Sequence, residues 1–333
     1  MKTAKKMPRT YFRDGYTFDQ ATMDSAGAFL IGELERLDPM MHMPLANVTW
    51  HRDIDPRTDV TIGDELSSFT NSTFAAVGGT SVTGKAWIGK NSNAVAGMAL
   101  DLQKTANPLQ LWGMELSYTL PELASAIQAG RPIDSQKLEA IRLKYQMDID
   151  NQVYTGDADL GVTGLVNNVG VNTSNVVNGA AASPLWANKT PAEILADIRS
   201  IEVSTWTNSG FSVAPRNILV PPIQYVALLQ PLAIGGVNYN SIAEYISRNS
   251  LCMEQNGVPL DIRPVKWLTG AGAGGTNRMV AYTREYDKVR FPMTTMLTTP
   301  IENRGIYKLT NYYARLGVVE IVYAEVISYR DGI

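Results

Sequence analysis

The chain has 333 residues, with 29 basic against 32 acidic, one cysteine and two histidines. A single cysteine excludes a disulfide-stapled scaffold, and 45% hydrophobic residues over this length provide for roughly two domains' worth of core. Only 18% of the residues are charged, below the roughly 25% usual for soluble domains, which implies either a large core or a surface that water does not fully see.

Residues 1–15 carry Lys2, Lys5, Lys6, Arg9 and Arg13; removing these five from the net charge of −3 leaves −8, so a basic tail precedes an acidic body. No apolar segment follows the tail, so it does not read as a secretory signal, and no run in the chain approaches the ~18 apolar residues of a membrane span. The plain reading of such a tail is a solvated terminus. The functional reading places it on its own body, a neighbouring subunit or a polyanion.

A first helix is expected from about Phe18 to Leu37, capped by Asp19 or Thr22, with Ala28, Leu30, Ile31 and Leu34 as its stripe and Pro39 and Pro44 beyond its end. Of the 37 residues from Thr61 to Gly97, 19 are Ser, Thr, Asn or Gly, and only Asp64, Glu65, Lys85 and Lys90 are charged. Extended runs at Asp59 to Phe69, Ser81 to Ile88 and Ala94 to Leu102 flank the turn signal Gly78-Gly79, which predicts a long β-hairpin arm. The arm has few large apolar residues, each worth only about 1.5–3 kcal/mol when buried. It is stable when it lies on other protein.

A short helix from Pro121 to Ala129, ended by Gly130, precedes the clearest helix of the chain. Asp134 is its expected cap, Ile133 staples against Leu138, and Leu138, Ile141, Tyr145, Ile149 and Val153 step by three and four along one face until Gly156. Such a helix is about 30 Å long at 1.5 Å per residue, a structural spine. Downstream, Thr190, Pro191 and Glu193 spell a capping box for a helix burying Ile194, Leu195, Ile198 and Ile201. A strand at Asn217 to Val220, a helix at Pro222 to Leu229 and a second capping box at Ser241 and Glu244 follow. Extended segments Leu260 to Leu268 and Arg278 to Arg284 bracket a glycine-rich tip, and Ile306 to Ala314 with Val318 to Ser328 read as a hairpin broken at Gly317. The order implies an α+β fold whose middle segment is inserted between parts of one sheet.

Motifs that spell chemistry fail on context. Gly79 to Lys85 matches G-x-x-x-x-G-K, but Ala86 stands where a phosphate loop needs the hydroxyl that holds Mg²⁺, and both flanks read as hairpin strands. Gly270-x-Gly272-x-x-Gly275 spells a dinucleotide fingerprint, yet Thr276 to Thr283 alternates like a strand and does not open a helix. Cys252 is the only thiol and reads as a buried, inert one; His42 and His51 lie far upstream. Two histidines and one cysteine cannot build a zinc site without carboxylates, and the pairs Asp148/Asp150 and Asp157/Asp159, at i, i+2, read as solvated surface charge. No cofactor or metal is expected. The acidic body argues against a nucleic-acid reader; only the N-terminal tail could neutralise phosphates, in a salt-dependent and sequence-blind way.

Three stretches carry a family resemblance: Tyr118-Thr-Leu-Pro-Glu-Leu123, Asp150-Asn-Gln-Val-Tyr-Thr-Gly156, and Gly161-Val-Thr-Gly-Leu-Val-Asn167, the last similar to a "G-[IV]-x-G-L-x-N" turn. With the layout of arm, spine helix and returning strands, the chain resembles the major capsid proteins of tailed phages, the Hong Kong 97-type fold shared with encapsulin shells. The resemblance implies an N-terminal arm and helix (1–54), an extended loop (55–101), a peripheral domain with the spine helix (102–164), an axial domain (165–285) and returning peripheral strands (286–333). It implies self-assembly into hexamers and pentamers of an icosahedral head enclosing double-stranded DNA, with portal and scaffolding or decoration proteins as further partners and no membrane. Scaffolding, if needed, is expected from a separate protein, since no long acidic or coiled N-terminal segment is present. The expected location is the virion, after synthesis in the bacterial host cytoplasm.

The same resemblance makes Phe69, Phe74, Lys85, Trp87 and Lys90 intersubunit residues of the extended loop, and Lys2, Lys5, Lys6, Arg9 and Arg13 inner-surface or DNA-facing cations. Gly270, Gly272, Gly274 and Gly275 become an axial loop tip near the capsomer centre. Some members crosslink a loop lysine to a neighbour's asparagine, for which Lys85 and Lys90 are available, although an ordinary surface lysine is the plainer reading. An encapsulin-type compartment with protein cargo and a soluble α+β enzyme using Cys252 or an unnoticed carboxylate site are the rival readings.

Overall fold

The computed structural model describes residues 44–77, 90, 97–128, 133–234, 237–239 and 241–333. The expected helix from Phe18 to Leu37, the basic tail, the Gly79 to Lys85 motif, the Ser81 to Ile88 run, Lys85 and Trp87 lie outside these residues.

A one-turn helix α1 (Trp50–Asp53) leads into β1 (Asp55–Arg57) and the hairpin strands β2 (Leu66–Val77) and β3 (Gly97–Pro108). After β4 (Gln110–Thr119) come α2 (Leu120–Gln128) and the spine helix α3 (Ile133–Tyr154), then the short ladder β5 (Gly156–Asp157) with β6 (Val162–Thr163). The middle segment contains β7 (Asn172–Asn175), α4 (Pro191–Asn208), β8 (Asn217–Val220), α5 (Pro222–Ala227), β9 (Leu232–Ile234), β10 (Val237–Tyr239), α6 (Ile242–Arg248), α7 (Leu251–Asn256), β11 (Asp261–Pro264) and β12 (Arg278–Tyr282). The chain closes with β13 (Val289–Pro292), β14 (Leu297–Thr298), β15 (Glu302–Arg304), β16 (Tyr307–Leu316), β17 (Glu320–Ile321) and β18 (Ser328–Asp331).

The centre is a five-stranded sheet of order β11-β8-β12-β18-β7, with a hydrophobic cluster on each side. Strand side chains alternate between faces: Leu219, Val280 and Tyr282 pack with Tyr145, Ile149, Val153 and Tyr154 of the spine. Ile218, Val220, Met279 and Ala281 pack instead with Ile194, Leu195, Ile198 and Ile201 of α4. The spine also carries the β4–β16 ladder, to which it is tied by Trp112 Nε1 donating to Asp148 Oδ2 at 2.9 Å and Tyr145 Oη donating to the Thr294 carbonyl at 2.9 Å.

The spine stripe is as expected, with Ile141, Tyr145, Ile149 and Val153 buried and Leu138 half-buried. The described part of the helix begins at Ile133, which places the backbone of Asp134 in its first turn. The Thr190 capping box forms in full, Thr190 N donating to Glu193 Oε2 at 2.7 Å and Glu193 N to Thr190 Oγ1 at 3.4 Å. At α6, the Ser241 hydroxyl accepts from the Glu244 amide at 3.1 Å.

Four expectations are corrected. The first arm strand starts at Leu66, not Asp59, because Asp64 accepts from both the amide and the hydroxyl of Thr61 and closes a turn; the second runs on to Pro108, past the expected strand end at Leu102. The segments either side of Gly317 do not form a hairpin: β16 pairs with β4, whereas β17 pairs with β13. Gly317 N donates to the Pro292 carbonyl at 2.8 Å, and there the chain passes from one sheet to the other. The last strand, β18, lies between β12 and β7 in the central sheet, apart from the other returning strands. Finally, β11 and β12 are not neighbours but flank β8, so the glycine segment between them crosses over a strand and is not a hairpin tip.

Candidate assembly surfaces

Strands β2 and β3 pair in register from Leu66↔Pro108 to Val77↔Gly97, about 37 Å of ladder at about 3.4 Å per residue. Residues opposite each other share a face, so Leu66, Ser72 and Phe74 lie with Met98, Leu100, Leu102 and Lys104 on one side. That side is open: Phe74 is 67% exposed, Met98 71%, Leu100 54% and Leu102 60%. The other side bears Ser67, Phe69, Asn71 and Thr73 with Asp101, Gln103 and Thr105, and it is this polar face whose root meets the body. A monomer of ordinary design turns its apolar face inward; this hairpin does the reverse, and an outward apolar face of this kind marks a contact surface.

The root is held by buried charge. Glu320 is fully buried and receives Arg290 Nε at 2.6 Å, Arg57 Nη1 at 3.2 Å and the hydroxyl of Ser67. Arg57 Nη1 also donates to Ser67 Oγ at 3.0 Å and to the Ser68 carbonyl at 3.3 Å, while its Nε reaches Asp59 at 2.6 Å. The hydrogen bond to Asp59, more than the charge of Glu320, pushes the Arg57 guanidinium above its ordinary value against the cost of burial. Four residues farther along β2, Asn71 Nδ2 donates to the Val322 carbonyl at 2.9 Å.

The Gly161 to Asn167 turn finishes the spine helix. Leu165 N donates to the Val153 carbonyl at 2.8 Å, Val166 N to Tyr154 at 3.0 Å and Asn167 Nδ2 to Thr155 at 2.8 Å, which satisfies carbonyls that a helix end leaves open. Asn167 Oδ1 accepts from Gly164 N at 2.7 Å. A Cβ at Gly164 would run into the Tyr154 backbone, so only glycine fits there.

At the other end of the middle segment, Arg278 and Asp331 form a buried two-pronged pair at 2.6 and 2.8 Å, and Arg278 Nη1 donates to the Val166 carbonyl at 2.7 Å. Asp331 Oδ2 also accepts from Ala273 N at 2.9 Å, Gly272 N donates to Thr276 O at 2.7 Å, and Gly270 N to Asn277 Oδ1 at 3.1 Å. Gly270, Gly272, Gly274 and Gly275 therefore form a loop pinned to the end of the central sheet, followed by a strand and not by a helix.

Of the expected loop residues, Phe74 joins the open apolar face, Phe69 sits half-buried on the opposite face and Lys90 is an exposed turn residue. Met98, Leu100 and Leu102 are legible in the chain as an alternation, but the aromatic and basic residues near them give the stronger local signal. Ser67, Arg57, Arg290 and Glu320 carry no local signal. Asp150 is not surface charge: it is fully buried and accepts from Thr49 N at 2.8 Å, Trp50 N at 3.0 Å and Trp267 Nε1 at 2.7 Å, capping α1 from the spine. Cys252 is buried, its thiol pushed up by burial and bonded by Asn256 Nδ2 at 3.6 Å. Among the described residues, no group of three or more His, Cys, Asp or Glu is placed to hold a metal, and no helix is long and apolar enough to cross a membrane.

A layered body on a spine helix, with a projecting hairpin whose apolar face is unclaimed, defines a shell subunit of the Hong Kong 97-type capsid fold. The capsid of Myoviridae phage XM1 has this fold with a TM-score of 0.73 at 14% identity, covering 91% of this chain and 98% of that one. Microbacterium phage Oxtober96 matches at 0.57 and 11% identity, over 92% and 98%, and Mycobacterium phage Che8 at 0.56 and 11%, over 89% and 96%. The chain belongs to the major capsid protein family, whose model matches residues 84–333. It is a structural protein of the virion that forms a capsid shell with copies of itself. No curated protein sequence matches it.

Proposed function

We propose that copies of this chain close as hexamers and pentamers into an icosahedral phage head around double-stranded DNA, with the open face of each hairpin lying on a neighbouring copy. The outward Phe74, Met98, Leu100 and Leu102 carry this reading: burying four such side chains is worth up to about 6–12 kcal/mol per subunit, enough to drive association through many weak contacts. In this reading Lys2, Lys5, Lys6, Arg9 and Arg13 face the DNA or an inner surface. The glycine loop at 270–275 belongs to the axial domain, Lys90 and Lys85 lie on the arm, and portal and scaffolding or decoration proteins complete the head. Synthesis takes place in the bacterial host cytoplasm.

Electron microscopy of the purified protein, followed by extraction of the particle contents, tests the proposal. Closed shells that retain double-stranded DNA and bear a portal are expected; shells filled with protein cargo, or a monomeric species in size exclusion, overturn it.

A further inference from the structure

The hairpin is held more narrowly than its length requires. Among the described residues, its hydrogen bonds to the rest of the chain come from Ser67, Ser68 and Asn71, all in the first half of β2. From there on Ser72, Thr73 and Phe74 and the facing residues Gly97 to Leu102 are exposed, and the two strands are bonded to each other. A ladder about 37 Å long on such a root is a lever: a 10° change at the root moves the far end by about 6 Å, roughly twice a hydrogen-bond length. Something at the root must therefore fix its direction.

We propose that Ser67 and Asn71 are positioning residues, and that the Ser67 contact with Glu320, braced by Arg57 and Arg290, is a latch that sets the angle at which the hairpin meets a second copy of the chain. Three observations carry this. Glu320 cannot drift, because it is fully buried and paired across the β13–β17 ladder with Arg290, its register partner. Arg57 joins the cluster from β1, the strand parallel to β13, and reaches both Ser67 Oγ and Ser68 O, so one guanidinium ties the sheet to the hairpin backbone. Ser67 and Asn71 lie on the same face about 14 Å apart, and their acceptors, Glu320 and the Val322 carbonyl, lie two residues apart in the segment after β17 begins. Two separated anchors constrain both tilt and twist, where one would leave a pivot.

The inference rests on the reading of the hairpin as a subunit contact, and the test separates the two. Ser67→Ala removes one of the hairpin's two side-chain donors and leaves the Arg57, Arg290 and Glu320 pairs in place, so the body still folds. Losing both the hydroxyl's bond to Glu320 and the one it accepts from Arg57 is expected to speed amide exchange of residues 66–71 in the dissociated chain about tenfold or more. The yield of closed shells should fall in parallel, with open or wrongly curved assemblies replacing them, and Ser67→Thr, which keeps the hydroxyl, should restore both. Unchanged exchange in Ser67→Ala and in Ser67→Ala with Asn71→Ala overturns the latch. Faster exchange with a normal yield of closed shells overturns its positioning role. Normal assembly of a Phe74→Ser, Leu100→Ser chain overturns the subunit contact itself, and the exchange measurement still decides the latch.

Discussion

Phe74 and Leu100 stand directly opposite each other across the hairpin ladder, and both point into solvent. Phe74 is 67% exposed and Leu100 54% in the isolated chain, so replacing both by serine should lower its thermal midpoint only slightly. In the shell, burying what remains exposed of this pair is worth up to about 2–4 kcal/mol per subunit, and the concentration needed for assembly should rise by about tenfold or more. Size exclusion and electron microscopy across a concentration series would show this. Unchanged assembly would remove the hairpin from the interface.

Gly164→Ala should be the most damaging single methyl in the spine-exit turn. The added carbon meets the Tyr154 backbone, which cannot rotate away as a side chain can, so a loss of at least about 3 kcal/mol is expected. Asn167→Ala removes the bonds to Gly164 N and Thr155 O from an exposed residue and should cost less, about 1–2 kcal/mol. Urea unfolding of both variants at constant m would establish the order.

Glu202 makes stability depend on pH. Burial pushes its carboxyl up to about 7, opposed by Arg199 and by the amides of Leu251 and Cys252, and among the described residues its Oε1 has no hydrogen-bond partner. Between the unfolded value near 4.5 and about 7 the folded chain holds the extra proton, so stability falls as pH rises through this window and levels off above it. The loss amounts to about 3 kcal/mol. Glu202→Gln should leave the melting temperature nearly unchanged at pH 4 and raise it at pH 8; a parallel shift at both would show that Glu202 is not the titrating group.

Breaking the Arg278 and Asp331 pair should loosen the glycine loop before it unfolds the body. Asp331→Asn leaves a buried guanidinium without its counter-charge, a change that typically costs about 3–5 kcal/mol, and weakens the acceptor that Ala273 N uses. Faster amide exchange and new protease cleavage within residues 270–277 are the expected signatures. Protection equal to that of the parent chain would show that the loop is held by its own turns.

Local order is readable from the chain because the interactions that create it close within a few residues. The Thr190 box, the spine stripe ending at Gly156 and the side-to-side alternation of the arm strands each depend on neighbours at three, four or two positions, and each is present in the structure. The spine-exit motif matches a family by its letters alone, without showing what the turn does. In the folded chain it brings the Leu165, Val166 and Asn167 donors onto the last carbonyls of α3. The misjudged places share one cause. Asp150, Asp64 and the Gly270 to Gly275 loop all take partners that the local pattern does not name.

The low overall charge has its counterpart in the hairpin, where alternation alone places Met98, Leu100 and Leu102 on one face. Which face looks outward was decided only in three dimensions. Ser67 and Glu320 are separated by 253 residues, and their meeting requires β17 to pair with β13, β13 to lie beside β1, and β1 to deliver Arg57 to the hairpin root. Strand neighbours are chosen by the competition of many chain crossings for one core, not by the periodicity of any one strand. The amino-acid pattern thus determined that an amphipathic arm exists, and the tertiary structure determined that its polar side is anchored and its apolar side left open.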